Sequence, residues 1–420
     1  MALTVAYNES LTYIIPAFAP IDFALSSSAS GDVAKVDYKI VCKVYYEPSG
    51  VNTLISTQQV NAIPPTNKSI FSVQDVVKSY IISTYSILAG DTTNLQRIDL
   101  PSFRVTFQEY YDGALRGSVV NSAIFTVWYA SPTYRQFATN EWRLYNAANY
   151  LFSDPLFYLL TGFKNKISVI NAFSKKDPFL KIKSTQKIQI AFPLRANFFD
   201  FDVWLKTLDS SFTQVTLSKL DLGSLTQNQF ALDIGVTELP IHSWDVAPSF
   251  VGVKYFAIGI YNATNLEMGS YTYLYEIDDC KTNYTPYEIH WLNRWGGYDS
   301  FIFDGVSKVT TNANKTFAKY QPNRINSSGA LVYNLYEQNK KPFHIGLNET
   351  HLVNSRLLED FEIEGLQDLF TSPDVYLRTS DGFVSVTVNG TTFEHFKSEN
   401  GKVFSVQLEI NIDHSDERQW

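Results

Sequence analysis

Alternation of apolar and polar residues, the pattern of a strand with one buried face, recurs along most of the chain. In the first third, two such segments run over residues 36–46 and 103–111 and end at turn signals. A third, over residues 123–129, is predicted to pair back after the turn at Asp112-Gly113. Short alternating strands separated by turns are typical of an antiparallel sandwich. We therefore predict a first β-sandwich module over residues 1–130.

The same order of strands recurs farther along the chain. A predicted hairpin of residues 254–261 and 270–277 parallels the one over residues 103–129. Each hairpin follows a Phe-x-x-x-(Asp/Ile)-x-Val sequence, at Phe71–Val77 and at Phe230–Val236. This shared order predicts a second module over residues 184–283. The two modules together are typical of tandem immunoglobulin-like or fibronectin-type-III-like sandwiches.

Residues 131–183, between the two modules, are less regular and are interpreted as a partly helical connector or insertion. Residues 140–151 have helix-like spacing of aromatic residues, with Asn140 as a candidate N-cap. Large aromatic side chains in a connector are candidates for contacts with an assembly partner. The assembly-contact candidates are Trp142, Tyr145, Phe157 and Tyr158.

Residues 284–420 are predicted to form a C-terminal β-rich domain with one short helix over residues 363–370. Asn389-Gly390 is a signal for a two-residue hairpin turn. The domain opens with a strand, a Gly-Gly break and a second strand. This segment is Trp291-Leu292-Asn293-Arg294-Trp295-Gly296-Gly297-Tyr298-Asp299-Ser300-Phe301-Ile302-Phe303.

Composition agrees with a mainly β chain and narrows the function. Aromatic residues make up 15% of the 420 residues, and rings suit pleated, half-buried surfaces. The net charge of −8, without blocks of like charge, argues against direct nucleic-acid binding. Cys42 and Cys280 have no metal-binding spacing, and Cys42 is expected to be a buried free thiol. No apolar run long enough for a membrane span is found.

Candidate chemistry is sparse, and neither a catalytic residue nor a cofactor or metal site is predicted. Asp299 with Asp304, and Asp200 with Asp202, have the spacing at which two carboxylates of a glycosidase could meet. Aspartates at strand ends and turns more often cap or solvate the backbone, and that interpretation is favoured here. We therefore expect a protein that is not an enzyme.

The motif residues Trp291, Asn293, Arg294, Trp295, Gly296, Gly297 and Asp299 are expected to have mainly structural roles. On a straight strand the two tryptophans would lie on one side, either as core residues or as an exposed sugar-binding pair. Arg294 would point the other way and pair with Asp299 or Asp304, or stack on a ring. The glycines predict a bulge or a turn with positive φ.

This segment and the C-terminal strand pattern resemble virion structural proteins of tailed bacteriophages, of the kind found in crAss-like and other phages of Bacteroidetes and environmental bacteria. The resemblance covers the last third of the chain and implies a tail or tail-tip ring or adaptor protein in the virion, assembled in the host cytoplasm. Its implied partners are other virion proteins and copies of itself. The alternative is a receptor-binding or capsid-decorating protein that binds host glycans.

Overall fold

A computed structural model describes most of the chain. The described residues are 3–7, 14–27, 35–47, 50–62, 68–81, 96–145, 156–168, 173–194, 201–222, 228–262, 268–280, 283–319, 325, 327–330, 340–380, 382–389, 405–412 and 416–419. The predicted strands at 331–336 and 392–396, Asp200 and Gly390 lie outside these residues.

The chain divides into two compact units. Unit 1 comprises Met1–Asp279, Leu292–Ser300 and Glu364–Asp368, and unit 2 comprises Cys280–Trp291, Phe301–Ile363 and Leu369–Trp420. The predicted boundaries after residues 130, 183 and 283 stay predictions. Unit 1 thus takes up two short segments from the C-terminal third of the sequence, and one of them is the Asn293–Asp299 part of the motif.

The first part of unit 1 contains ten described strands and one helix. They are β1 (Leu3–Tyr7), β2 (Ile14–Pro16), β3 (Asp22–Ser27), β4 (Lys39–Tyr46), β5 (Thr53–Val60), β6 (Lys68–Ser72), α1 (Gln74–Ile81), β7 (Gln96–Asp99), β8 (Ser102–Tyr111), β9 (Ala114–Asn121) and β10 (Phe125–Trp128). One sheet has the order β2-β10-β8-β4-β5, with β9 also on β8, and a second has the order β1-β3-β6.

Aromatic side chains from both sheets form the core of this module. The ring of Phe107 on β8 lies 5.2 Å from that of Phe23 on β3 and 6.1 Å from that of Phe71 on β6. All three rings are buried. Burial of one such side chain contributes about 2–3 kcal/mol, so this contact holds the two sheets together.

The next part of unit 1 contains a connecting region and eight more strands. These elements are α2 (Tyr134–Ala138), a 3-10 helix (Glu141–Tyr145), β11 (Lys166–Ile167), β12 (Leu180–Ile182), β13 (Gln189–Leu194), β14 (Phe201–Leu208), β15 (Gln214–Asp221), β16 (Asn228–Asp233), a 3-10 helix (Leu239–Ile241), β17 (Tyr255–Asn262) and β18 (Thr272–Ile277). One sheet has the order β11-β18-β17-β14-β15, with β12 also on β18, and the other has the order β13-β16-β7.

The two sandwiches share a strand order, as predicted. The run β10-β8-β4-β5 of the first corresponds to β18-β17-β14-β15 of the second. In each sandwich a short preceding strand pairs in parallel with the last one, β2 with β10 and β12 with β18. Phe23 opposite Phe71 in β3–β6 likewise corresponds to Phe192 opposite Phe230 in β13–β16. Tandem β-sandwiches in a mainly β chain are thus confirmed.

Strand β7 links the two sandwiches. It precedes β8 in sequence, yet it pairs with β16 of the second sandwich, with Arg97 opposite Phe230. The second sandwich therefore includes a strand from the first third of the sequence, and the two sandwiches share backbone hydrogen bonds.

Two local predictions in unit 1 are corrected. The turn at Asp112-Gly113, where both residues have positive φ, leads into β9 and not directly into the 123–129 strand. The helix predicted from Asn140 onward is a 3-10 helix over Glu141–Tyr145, and residues 146–151 lie outside the described residues. The α-helix α2 lies before it and begins after a capping box of Thr133 and Gln136. Asn140 has a φ of 58° and separates α2 from the 3-10 helix.

Unit 2 is built on one large sheet. Its elements are β19 (Tyr287–Leu292), the end of β20 (Tyr298–Phe303), β21 (Lys308–Lys319), β22 (Lys340–Asn354), most of α3 (Asp360–Leu366), part of a 3-10 helix (Gln367–Thr371), β23 (Val375–Thr379), β24 (Gly382–Val388), β25 (Gln407–Ile412) and β26 (Asp416–Gln419). The described strand order is β19-β23-β24-β25-β22-β21, with β26 also on β22. The β-rich C-terminal region with a short helix is confirmed.

Candidate functional site: the Asn293–Asp299 segment

A tight turn, held together by the Asn293 side chain, starts directly after β19. The Asn293 amide oxygen accepts hydrogen bonds from the backbone N–H groups of Trp295 at 2.9 Å and Gly297 at 3.2 Å. Its amide nitrogen donates to the Leu160 carbonyl oxygen at 3.0 Å and to Asp299 Oδ2 at 2.9 Å. All four hydrogen-bonding positions of a buried amide are thus used inside unit 1.

The two glycines are required by the close approach of other chain segments. Gly296 has a φ of 83°, and a Cβ at this position would overlap the carbonyl oxygen of Tyr129. A Cβ on Gly297 would overlap the carbonyl oxygen of Leu160. The predicted positive φ is therefore confirmed at Gly296, whereas Gly297 is required by lack of space.

Trp295 fixes the turn against the first sandwich and the connecting region. Its ring stacks on Tyr145 with centroids 3.7 Å apart and an angle of 13° between the planes. Its carbonyl oxygen accepts a hydrogen bond from Trp128 Nε1 at 2.9 Å. The preceding carbonyl, of Arg294, accepts from the Ser131 N–H at 2.7 Å.

The second sandwich contacts the same segment through two glutamines. Gln229, buried on β16, donates from its side chain to the Gly296 carbonyl oxygen at 2.9 Å. Ser300 accepts a hydrogen bond from Gln186 Nε2 at 3.1 Å and donates to the Lys187 carbonyl oxygen at 2.8 Å. The segment from Asn293 to Ser300 thus bonds to both sandwiches and to the connecting region between them.

Asp299 is the most strongly perturbed acid of this cluster. It accepts hydrogen bonds from Thr161 Oγ1 at 2.6 Å, from the Gly162 N–H at 2.8 Å and from Asn293 Nδ2. Burial raises the pKa of Asp299 to about 7, the hydrogen bonds oppose this shift, and the charge of Asp368 adds to it. Burial thus shifts the ionisation of this carboxyl group toward neutral pH.

The space beside Asp299 is small. A cavity of about 10 Å³ is lined mainly by apolar side chains of 159–163, 180 and 188–191, together with Asp299 and Tyr275. This volume holds about one water molecule. No sugar ring can therefore lie against Asp299 in this conformation.

Arg294 binds a different acid from those predicted. Its Nε donates to Asp368 Oδ1 at 2.6 Å, so the expected pairing with Asp299 or Asp304 is wrong. Asp368 follows α3 and belongs to unit 1, whereas Asp304 belongs to unit 2. The sequence offers no signal for this pair, because 74 residues separate its members.

The expectation of a straight strand through both motif tryptophans is also wrong. Strand β19 ends at Leu292, so Trp291 is on the strand in unit 2 and Trp295 is in the turn in unit 1. Both side chains are buried, in agreement with a core role. Of the second predicted carboxylate pair, Asp202 is half-buried on β14, and Asp200 lies outside the described residues.

Three of the four assembly-contact candidates are buried within unit 1: Trp142, Tyr145 and Phe157. Their side chains pack internally in this structure, and their role as contacts stays a prediction. Tyr158 is half-buried and lies in an aromatic cluster with Tyr145 and Tyr271. Lys166 Nζ lies 3.0 Å from the centre of the Tyr158 ring. Burial lowers the pKa of the Lys166 amine to about 7.

Residues that sequence analysis did not single out supply most partners of the motif. They are Thr161, Gly162, Gln186, Gln229 and Asp368. Over the described residues, no group of three or more His, Cys, Asp or Glu side chains could hold a metal ion. None of the helices described is long and apolar enough to cross a membrane.

Comparisons with known proteins add little. No family model matches the chain, and no curated protein matches it significantly. Among solved structures, it is similar to trypsin-activated alpha-2-macroglobulin from Escherichia coli, with 7% identity over 99% of this chain and a TM-score of 0.19. An alpha-2-macroglobulin mutant from Salmonella gives 6% identity and a TM-score of 0.20. The chain spans 32% and 39% of these two proteins, and such low scores support no argument about fold or function.

Proposed function

We propose that this chain is a structural component of a tailed-phage virion, acting as a tail or tail-tip ring or adaptor through protein–protein contacts. The observation that carries the proposal is the internal use of the motif's polar groups. Every hydrogen-bonding atom of the Asn293 amide, and both carboxylate oxygens of Asp299, bind groups of unit 1 itself. These residues stabilise an architecture and present no open site for a substrate.

The way the sandwiches are joined supports the same proposal. Tandem β-sandwiches connected by a flexible linker would change orientation freely. Here β7 pairs across them, and the segment Leu292–Ser300 bonds to both. A part of a symmetric assembly benefits from such rigidity, because a fixed spacing between modules lets identical contacts form in every copy.

The location of the chain in particles tests this function. An epitope tag inserted at the exposed turn Lys175-Lys176 would be detected by immunogold labelling of density-purified particles of the encoding phage. We expect label at the tail. Label over the capsid would favour the decorating alternative, and particles that lack the chain would refute a structural role altogether.

A matched variant separates assembly from folding. Trp295→Ala removes the ring that stacks on Tyr145 and should weaken unit 1, whereas Tyr134→Ala removes a ring that is 81% exposed. We expect the first variant to be lost from particles in proportion to its loss of folded protein. Normal incorporation of a Trp295→Ala chain with a disordered unit 1 would contradict the proposed role of this architecture.

A further inference from the structure

Strands β21 and β22 form a long antiparallel pair at one edge of the sheet in unit 2. They pair from Lys308 opposite Leu352 to Lys319 opposite Lys340. We define the basic arm as residues 308–319 and their partners in β22, residues 340–352. Every residue from 308 to 318 is exposed, so β21 has solvent on both faces. Strands β25 and β26 pair with β22 on its other side, so β21 is the outermost described strand of the sheet.

The outer edge of β21 is open. Among the described strands, only β22 pairs with β21, which stands at the end of the sheet. An exposed edge of this length offers unpaired backbone N–H and C=O groups to another chain. Val309, Phe317 and Phe343 add apolar surface, each with about half of its side chain exposed.

The charge of the arm is opposite to that of the rest of the chain. The arm contains five lysines and one acid: Lys308, Lys315, Lys319, Lys340 and Lys341, with Glu349. Because the whole chain has a net charge of −8, an arm of +4 leaves −12 on the remaining residues. Strand β26 pairs with β22 on its other side, and its Asp416, Glu417 and Arg418 lower the net charge of the paired strands to +3.

This difference in charge between the arm and the rest of the chain indicates which partner the arm binds. The remaining residues of a second copy carry a net negative charge, and complementary charge favours both encounter and register. Direct pairing of two β21 edges is unfavourable, because an antiparallel, fully overlapped pair would place Lys308 opposite Lys319 of the other copy. The contact is therefore between two different surfaces, the arm of one copy and another surface of the next copy. Repeated contacts of this kind generate rings or filaments.

We propose that the basic arm of one chain binds the acidic surface of a second copy, head to tail. This inference rests on the proposed assembly function and adds its partner and its contact surface. The arm supplies the charge, the open edge and the apolar side chains, and the neighbouring copy supplies acidic groups.

Sedimentation velocity of the full chain tests the proposal. We expect self-association in about 50 mM salt and mainly monomer in about 500 mM salt, because screening weakens contacts between exposed charges. The variant Lys308→Glu/Lys315→Glu should weaken self-association at least about tenfold. The matched control is Lys175→Glu/Lys176→Glu, which makes the same charge change in an exposed turn and should associate like the wild type.

Three results would overturn the proposal. The first is a wild-type chain that stays monomeric at about 100 µM protein, where even a weak interface would be populated. The second is equal self-association of the arm variant and the wild type. The third is binding of the arm to DNA or RNA without self-association. Immunogold labelling of particles separates this failure from that of the assembly function. A chain that reaches particles despite a charge-reversed arm would keep its structural role and lose only this contact.

Discussion

The guanidinium of Arg294 and the carboxylate of Asp368 form a largely buried ion pair within unit 1. Nε and Nη2 of Arg294 lie 2.6 Å and 2.5 Å from Asp368 Oδ1. The Asp368 side chain is only 3% exposed, whereas that of Arg294 is 30% exposed. The pair therefore ties the segment Glu364–Asp368 to the motif turn, and loss of the arginine would leave an acid with little access to water.

Removal of the arginine charge should be costly. We expect Arg294→Met to lower the free energy of unfolding of unit 1 by about 2–4 kcal/mol, because Asp368 would keep a buried charge without its partner. Urea unfolding measures the change. The control is Lys164→Met, which removes an exposed pair with Glu364 and should cost less than about 1 kcal/mol. Equal costs for the two variants would contradict the structural role of Arg294.

The motif glycines give a second prediction. Gly296→Ala should destabilise unit 1 by more than about 3 kcal/mol, because the added methyl group meets the Tyr129 carbonyl. Gly50→Ala is the matched control, since Gly50 also has positive φ but has open space around its Cα. It should cost only about 1–2 kcal/mol of backbone strain. Thermal unfolding compares the two, and a tolerated Gly296→Ala would show that Tyr129 can move.

The raised pKa of Asp299 predicts that the stability of unit 1 depends on pH. Its pKa is about 7 in the folded chain, above the ordinary value of 3.8, so the folded state binds its proton more tightly than the unfolded state does. The contribution of the protonated Asp299 carboxyl group to the free energy of unfolding is fully present below about pH 4 and is lost as the pH rises to about 7. It amounts to a few kcal/mol.

Asp299→Asn isolates this contribution. The variant should be closest in stability to the wild type at low pH, because the protonated carboxyl group of Asp299, like an amide, cannot accept all three hydrogen bonds. It should also lack the decline between pH 4 and pH 7 that Asp299 causes in the wild type. Urea midpoints at several pH values provide the comparison. Parallel pH curves for the two proteins would mean that Asp299 does not titrate in this range.

The stack of Tyr145 on Trp295 can be measured by a double-mutant cycle. Tyr145→Leu and Trp295→Leu should each destabilise unit 1, and the coupling free energy between them should be about 1 kcal/mol. A coupling near zero would show that the rings do not stack in solution.

The two thiols should differ in reactivity. Cys42 is buried, and burial raises the pKa of its thiol to about 12, whereas Cys280 is exposed. A thiol reagent should therefore label Cys280 in the native chain and both cysteines in denaturant. Mass spectrometry of the labelled peptides identifies the site. Rapid native labelling of Cys42 would indicate opening of the first sandwich.

The sequence by itself determined the strands of the sandwiches. Period-two alternation is a local property, and it placed β4 and β8 because each has one face in a core. The strand β9 was missed because six of its eight residues are exposed and none is buried, so it shows no such pattern. The need for Gly296 was also visible, because positive φ is a property of single residues.

Only the tertiary structure decided what the motif binds. The donors to Asp299 from Thr161 and Gly162 lie 138 and 137 residues away, and the pairing of β7 with β16 crosses from one sandwich to the other. No local pattern encodes such contacts, since one carboxylate can accept from any donor that the fold brings near. Which donor arrives depends on the packing of all intervening segments together.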